Sequence, residues 1–188
     1  KELVSDYKGC DIMLERGVGG ILINEEQLAG RIKELGDILT EEYAGKNPLF
    51  ICPLKGSVMF FADLLRKIKI PCEIDFMAVS SYNSNTVSSG KVQVMKDLTC
   101  DIEGRHVVIV EDIIDSGNTL YELKSMLKNR SPASLKICTL LDKPARREKP
   151  VESDYCGFEI PDLFVVGFGM DLNEEYRNLP YIGVYKNT

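Results

Sequence analysis

Residues His106 to Leu120 read HVVIVEDIIDSGNTL. Val107-Val108-Ile109-Val110 is a short, continuous apolar run, mostly β-branched and bounded by polar residues. That is the pattern of a strand covered on both faces, as in the middle of a parallel sheet. Glu111 and Asp112 follow, then Ile113-Ile114, a third acid at Asp115, and the small polar set Ser116-Gly117-Asn118-Thr119. Leu120, Leu123, Met126 and Leu127 then recur at helical spacing. The predicted order is strand, acidic loop, small-residue turn, helix.

This order favours a phosphorylated ligand. Ligands of open α/β sheets sit at the carboxyl ends of strands. Small residues let backbone N–H groups approach a phosphate, and a helix N-terminus favours negative charge. Ser116 and Thr119 add hydroxyl donors. Carboxylates beside a phosphate repel it unless a cation or sugar hydroxyls intervene. Glu111 and Asp112 therefore point to ribose hydroxyls and to Mg²⁺, which binds through few carboxylates and keeps several waters.

Composition narrows the class. The chain has 188 residues, 44% hydrophobic and 28% charged, which are values of a globular domain. A net charge of -6 argues against non-specific nucleic-acid or anionic-membrane binding. There is no transmembrane-length apolar run and no signal-peptide pattern. The six cysteines are widely spaced, with none in a C-x-x-C pair, and Cys52 and Cys138 sit inside apolar runs. Reduced thiols and a cytoplasmic setting are expected. With one histidine and no clustered thiols, zinc is not expected, and His106 reads as structural.

Elsewhere the chain repeats the strand-to-loop-to-helix theme. Gly17-Val18-Gly19-Gly20 reads as a turn before a strand-like Ile21-Leu22-Ile23. Asn24 is a good N-cap with Gln27 at the capping-box position, and Leu28, Ile32, Leu35 and Leu39 share one helical face, closed near Gly45. Pro48 to Leu54 is a strand running into Lys55-Gly56-Ser57 and a second helix; a Lys beside Gly there suits an anion. Glu73–Ser80 and Lys91–Leu98 are strands joined by a polar loop with the composition of a mobile flap. Ser134–Leu141 is a buried strand leading to Asp142-Lys143, and residues 144 to 154 read as a surface loop. Phe164 to Phe168 is strand-like, with Phe164 either stacking on a base or packing in the core. Arg177 reads as a surface ion-pair partner or an anion ligand. Tyr181–Tyr185 reads as an edge strand.

VVIVEDIIDSGNT resembles the phosphoribosyl-pyrophosphate (PRPP) motif of type I phosphoribosyltransferases, and its EDIIDSG core is closest to the hypoxanthine-guanine members. The resemblance runs from about Ile21 to Tyr185 through five segments in the family's order. It implies an α/β fold: a parallel-rich twisted central sheet flanked by helices, with a small hood and a flexible flap loop. The expected organisation is one domain over 1–188, with a core of about 45–160 and a hood from about 1–23 and 161–188.

The implied reaction moves phosphoribose from PRPP to hypoxanthine, or to guanine or xanthine, and releases pyrophosphate. The resemblance makes Asp115 the general base and gives the 5′-phosphate to Asp115, Ser116, Gly117, Asn118 and Thr119. The ribose hydroxyls fall to Glu111 and Asp112. Pyrophosphate falls to Lys55, Gly56, Ser81, Tyr82 and Arg177, with an unusual peptide at Lys55–Gly56. Lys143, Phe164, Val165 and Asp171 take the purine, and Glu111, Asp112 and Asp171 lie near Mg²⁺. Ser57 departs from members that carry Gly or Ala there. The family pattern also implies a homodimer or homotetramer. A non-enzymatic PRPP-binding regulator on the same fold is the alternative. A generic phosphate-binding module is a third reading, weakened by the lack of Walker and dinucleotide fingerprints.

Overall fold

A computed structural model describes residues 17–81 and 92–186. The expected flap, including Tyr82, and the chain before Gly17 lie outside the described residues; Ser81 is described only as the backbone end of a strand.

The chain builds β1 (Val18–Ile23), α1 (Glu25–Glu42), β2 (Leu49–Leu54), α2 (Val58–Leu65), β3 (Glu73–Ser81) and β4 (Val92–Lys96). There follow β5 (His106–Ile114), α3 (Asn118–Lys128), β6 (Ser134–Asp142), β7 (Tyr155–Glu159), β8 (Val165–Val166) and β9 (Ile182–Tyr185). Six strands form one sheet in the order β4-β3-β2-β5-β6-β7. All neighbours pair in parallel except the β3–β4 edge. β5 lies inside this sheet, and Val107 to Val110 are fully buried, as the apolar run demands.

Successive strand residues face opposite sides. Phe50, Cys52, Val108, Val110, Cys138 and Leu140 therefore pack beneath α1 and α2, with Leu28, Ile32, Leu35, Leu39, Phe60, Phe61 and Leu64. Leu49, Ile51, Val107, Ile109 and Ile137 face the other way, against Leu120, Leu123 and Leu127 of α3. The α1 start follows its sequence: Asn24 Oδ1 accepts from Gln27 N, and Gln27 Oε1 accepts from Asn24 N, both at 2.9 Å. His106 is structural, with Nδ1 2.8 Å from Ser134 Oγ.

β1, β9 and β8 make a second, antiparallel sheet over Val18, Ile21, Val166, Leu179 and Tyr181. Several expectations need correction here. Val18-Gly19-Gly20 is strand; only Gly17, at φ +96°, turns. The last strand is no edge, because it pairs with both β1 and β8. Phe164–Phe168 contributes only two strand residues, since Gly167 (φ +100°) and Phe168 (φ +49°) bend the chain. The acidic stretch after Val110 is not a loop. β5 runs on to Ile114, because the β5–β6 ladder continues to the Ile114–Asp142 pair.

Asp75 is a buried carboxylate in β3 that the sequence did not single out. Burial alone would raise its pKa. Amide donors at Thr99 (2.6 Å) and Phe76 (2.7 Å), the Thr99 hydroxyl (2.9 Å) and Lys96 outweigh that and hold it at about 2. A depressed folded-state pKa contributes stability above the unfolded value and loses it as pH falls through the folded one. Asp75→Asn should therefore cost about 2 kcal/mol near pH 7. In urea titrations the gap to wild type should shrink as pH drops from 4 toward 2; a gap that stays constant with pH would contradict the assignment.

Candidate active site

Three parallel strands end at one edge of the large sheet. β2 leads into Lys55-Gly56, β5 into Asp115, and β6 into Lys143. The chain moves outward from β2 to β3 in one direction and from β5 to β6 and β7 in the other. The β2–β5 junction is thus a topological switch point, where open α/β sheets bind ligands. The β2–β5 ladder stops at the Ile51–Ile109 pair, so a crevice opens beyond it. Pro53, which has no N–H to give, stands past that end.

Glu111 and Asp112 sit half-buried in this crevice. Burial, and then the Asp112 charge, push the Glu111 carboxyl well above its ordinary pKa. Asp112 is pushed up to about 6, chiefly by burial, although Ile113 N donates to it at 2.8 Å. Glu111 Oε2 is buried and has no hydrogen-bond partner among the described residues. An orphaned oxygen beside a second carboxylate fits a hydroxyl donor or a hydrated cation. No three His, Cys, Asp or Glu side chains form a ready-made metal cage among the described residues. The donor set therefore suits Mg²⁺ shared with ligand oxygens and water.

Glycines bring the next chain segments close. A Cβ at Gly56 would fall on the Asp112 carboxylate, and one at Gly169 would fall on the Gly56 carbonyl. The Leu54–Lys55 peptide is cis, one bond before the position that the resemblance implied. Ser57 is buried, and its hydroxyl donates to the Pro53 carbonyl. Lys55 Nζ lies 3.1 Å from Glu174, and Arg177 lies 2.8 Å from Asp171 and 3.3 Å from Glu174. Arg177 also donates to the Gly169 carbonyl at 2.7 Å. Lys55, Gly56, Asp112, Asp171 and Arg177 are thus one neighbourhood. Arg177 belongs to an irregular segment, not a helix, and points inward. Glu174 carried no sequence signal, because an acid beside another acid, Glu175, looks like any solvated stretch.

On the other side of Asp112, the backbone from Glu111 to Leu120 encloses a cavity of 190 Å³. Gly117, at φ +80°, precedes α3, whose N-terminus has no side-chain cap. Asn118, Thr119 and Leu120 of its first turn line the cavity, with Asn118 N 3.4 Å from Ser116 Oγ, and a helix N-terminus at such a place suits an anion. Asn118 Nδ2 donates to Glu148 at 2.7 Å. Lys143, read from sequence as either a loop lysine or a base contact, is only 5% exposed. Its Nζ is 3.8 Å from Asp115 Oδ2, and Arg146 Nε is 3.3 Å from Asp115 Oδ1. Arg146 also reaches Asp162 at 3.5 Å, two residues before Phe164. Phe164 is 52% exposed, so it is not core, and its ring meets Tyr185 edge-on at 6.0 Å. Val165 is buried in the small sheet. The stretch 144 to 154 is not a simple surface loop. Val151 is buried, and Arg147 turns inward to Asp115 and Asp142.

The phosphoribosyl transferase domain family matches residues 21–173. A hypoxanthine-guanine phosphoribosyltransferase of Streptococcus thermophilus is 52% identical over 174 residues, covering 93% of this chain and 97% of that protein. A bifunctional protein TilS/HprT of Listeria innocua is 54% identical, covering 99% of this chain and 30% of its own length. Among solved structures, a hypoxanthine phosphoribosyltransferase of Staphylococcus aureus superposes with a TM-score of 0.90 at 46% identity, covering 95% of this chain and 97% of that one.

The contact of Gly56 with Asp112 makes a local prediction. Gly56→Ala should leave the fold intact but displace the Asp112 carboxylate. Calorimetry should then show pyrophosphate binding, with Mg²⁺ present, weakened about tenfold or more, or about 1.4 kcal/mol. Unchanged affinity would mean that the two residues do not share a site.

Proposed function

The chain belongs to the phosphoribosyl transferase family, and on that premise we propose that it salvages purines by transferring phosphoribose from PRPP to a 6-oxopurine. Hypoxanthine and guanine are the favoured bases, giving the nucleoside monophosphate and pyrophosphate. The single observation that carries this reading is the convergence, at one switch point, of a phosphate-cradling loop, a paired-carboxylate crevice and two buried or inward-turned cations.

Each residue has a task in this reaction. The loop from Asp115 to Thr119 holds the 5′-phosphate through backbone N–H groups and hydroxyls. Glu111 and Asp112 accept hydrogen bonds from the ribose hydroxyls. Lys55, Gly56 and Arg177, with Ser81 at the end of β3 and Tyr82 of the flap, hold the pyrophosphate, and the positive charge of Lys55 and Arg177 favours its departure. As the ribose–pyrophosphate bond breaks and the purine nitrogen bonds to the same carbon, Asp115 takes the proton from the seven-position nitrogen. Lys143 donates to the six-position oxygen. Adenine carries an amino donor there, so a buried Lys faces it donor to donor. Phe164 supplies an exposed ring for stacking, and the Val165 backbone reads the base edge. Glu111, Asp112 and Asp171 would hold Mg²⁺ together with substrate oxygens, and the ion would supply charge neutralisation on the leaving group.

No helix among the described residues is long and apolar enough to cross a membrane. A hood built by the two ends of the chain and self-association through α2, which leaves Met59 40% exposed, belong to the same proposal.

The test is pyrophosphate release from PRPP and Mg²⁺ with hypoxanthine, guanine, xanthine or adenine. Release with 6-oxopurines and none with adenine is expected. PRPP binding without release for any base would favour a non-enzymatic regulator. In the same assay, Asp115→Ala should slow turnover by about 10²–10⁴-fold. Turnover equal to wild type would remove Asp115 from the proton-transfer step.

A further inference from the structure

We infer that Arg147 is a positioning residue for this transfer: its guanidinium sets the phosphate loop's amides and the Asp115–Lys143 spacing together. The inference rests on the proposed reaction.

β5 and β6 run in register up to the Ile114–Asp142 pair and then separate into Asp115 and Lys143. Arg147 spans that point of separation. Its Nη1 donates to the main-chain carbonyl of Asp115 at 2.9 Å, and its Nη2 pairs with the Asp142 carboxylate. Both side chains are largely buried, at 17% and 15% exposure. A planar guanidinium has its donors in a fixed fork. Holding one acceptor at the end of each strand therefore fixes the distance between those ends. The residues just beyond are the proposed base and the proposed six-oxygen donor, which must meet two neighbouring atoms of one purine.

The same segment sets the phosphate loop from outside. Glu148 N and Lys149 N donate to the Ser116 carbonyl at 2.9 and 3.3 Å. The carbonyls of Asp115 and Ser116 are thus both turned toward residues 147–149. In a trans peptide the N–H points opposite to the C=O. The amides of Ser116 and Gly117 must then point away from that segment, into the cavity where a phosphate would lie. Among the described residues, neither amide donates to a backbone carbonyl. At Gly117 a Cβ would come within 2.6 Å of Val151 and 3.3 Å of Arg147 Cδ, so the contact is close. Without Arg147 the Asp115 carbonyl loses this hydrogen bond, and the loop can rotate its donors out of the cavity.

Arg147→Met keeps the aliphatic stem but removes both donors, and Asp142→Asn keeps the shape of the partner but removes its charge. PRPP binding with Mg²⁺ by calorimetry and steady-state kinetics with hypoxanthine should be measured for both, alongside thermal unfolding. For Arg147→Met we expect affinity for PRPP to fall roughly tenfold and kcat to fall by about 10²-fold. Added guanidinium ion at millimolar concentration should restore part of the kcat, which a general loss of stability would not allow. Asp142→Asn should show a smaller loss of the same kind. Wild-type PRPP affinity and kcat in Arg147→Met, or loss of activity matched by unfolding and without guanidinium rescue, would overturn the role. If the wild type binds PRPP but transfers to no base, the proposed reaction fails, while the affinity comparison still decides whether Arg147 sets the loop.

Discussion

Two adjacent carboxylates, Glu111 and Asp112, stand on a strand whose preceding four residues are fully buried. Desolvation makes that arrangement costly unless something answers both charges. Much of the surrounding structure follows from this constraint. The β2–β5 ladder ends before it reaches them, which opens space for a ligand. Gly56 and Gly169 have no side chain because Asp112 and the Gly56 carbonyl occupy the room a Cβ would need. The carboxyls themselves favour the protonated form more than free acids do, so ligand hydroxyls or a cation are what the crevice lacks.

Around this acidic centre the basic groups are held in advance. Lys55 and Arg177 are paired with Glu174 and Asp171, and Lys143 and Arg146 face Asp115. A net charge of -6 thus coexists with a local concentration of cations at the strand ends. Pairing costs little where the pair is exposed, as at Lys55–Glu174, and keeps long side chains near their working positions. In the proposed reaction an anionic ligand would exchange one carboxylate partner for phosphate oxygens and would not have to order free chains.

The sheet and the two helical layers are likewise a consequence of simple alternation. In β2 and in Val107–Val110 of β5, odd and even residues belong to separate cores, one under α1 and α2 and one under α3. The loops at the carboxyl ends inherit their positions from these two packed faces. Asp115 and Lys143 come together only because β5 and β6 are neighbours that stay in register to their last pair.

Local pattern was enough for the buried strand, the Asn24 cap, the α3 face and the small-residue turn before it, because each depends on residues close in the chain. The paired acids and the Lys-Gly turn were legible for the same reason. Local pattern misjudged the reach of β5, the strand character of Val18-Gly19-Gly20 and the central place of β9, since pairing partners far along the chain decide those. It could not separate an inward Arg147 from the solvated charges around it, nor find the buried Asp75 or the role of Glu174. Charge in a sequence says that a group must be solvated or paired. Which of the two occurs, and with whom, is decided only when distant strands fix where each side chain can reach.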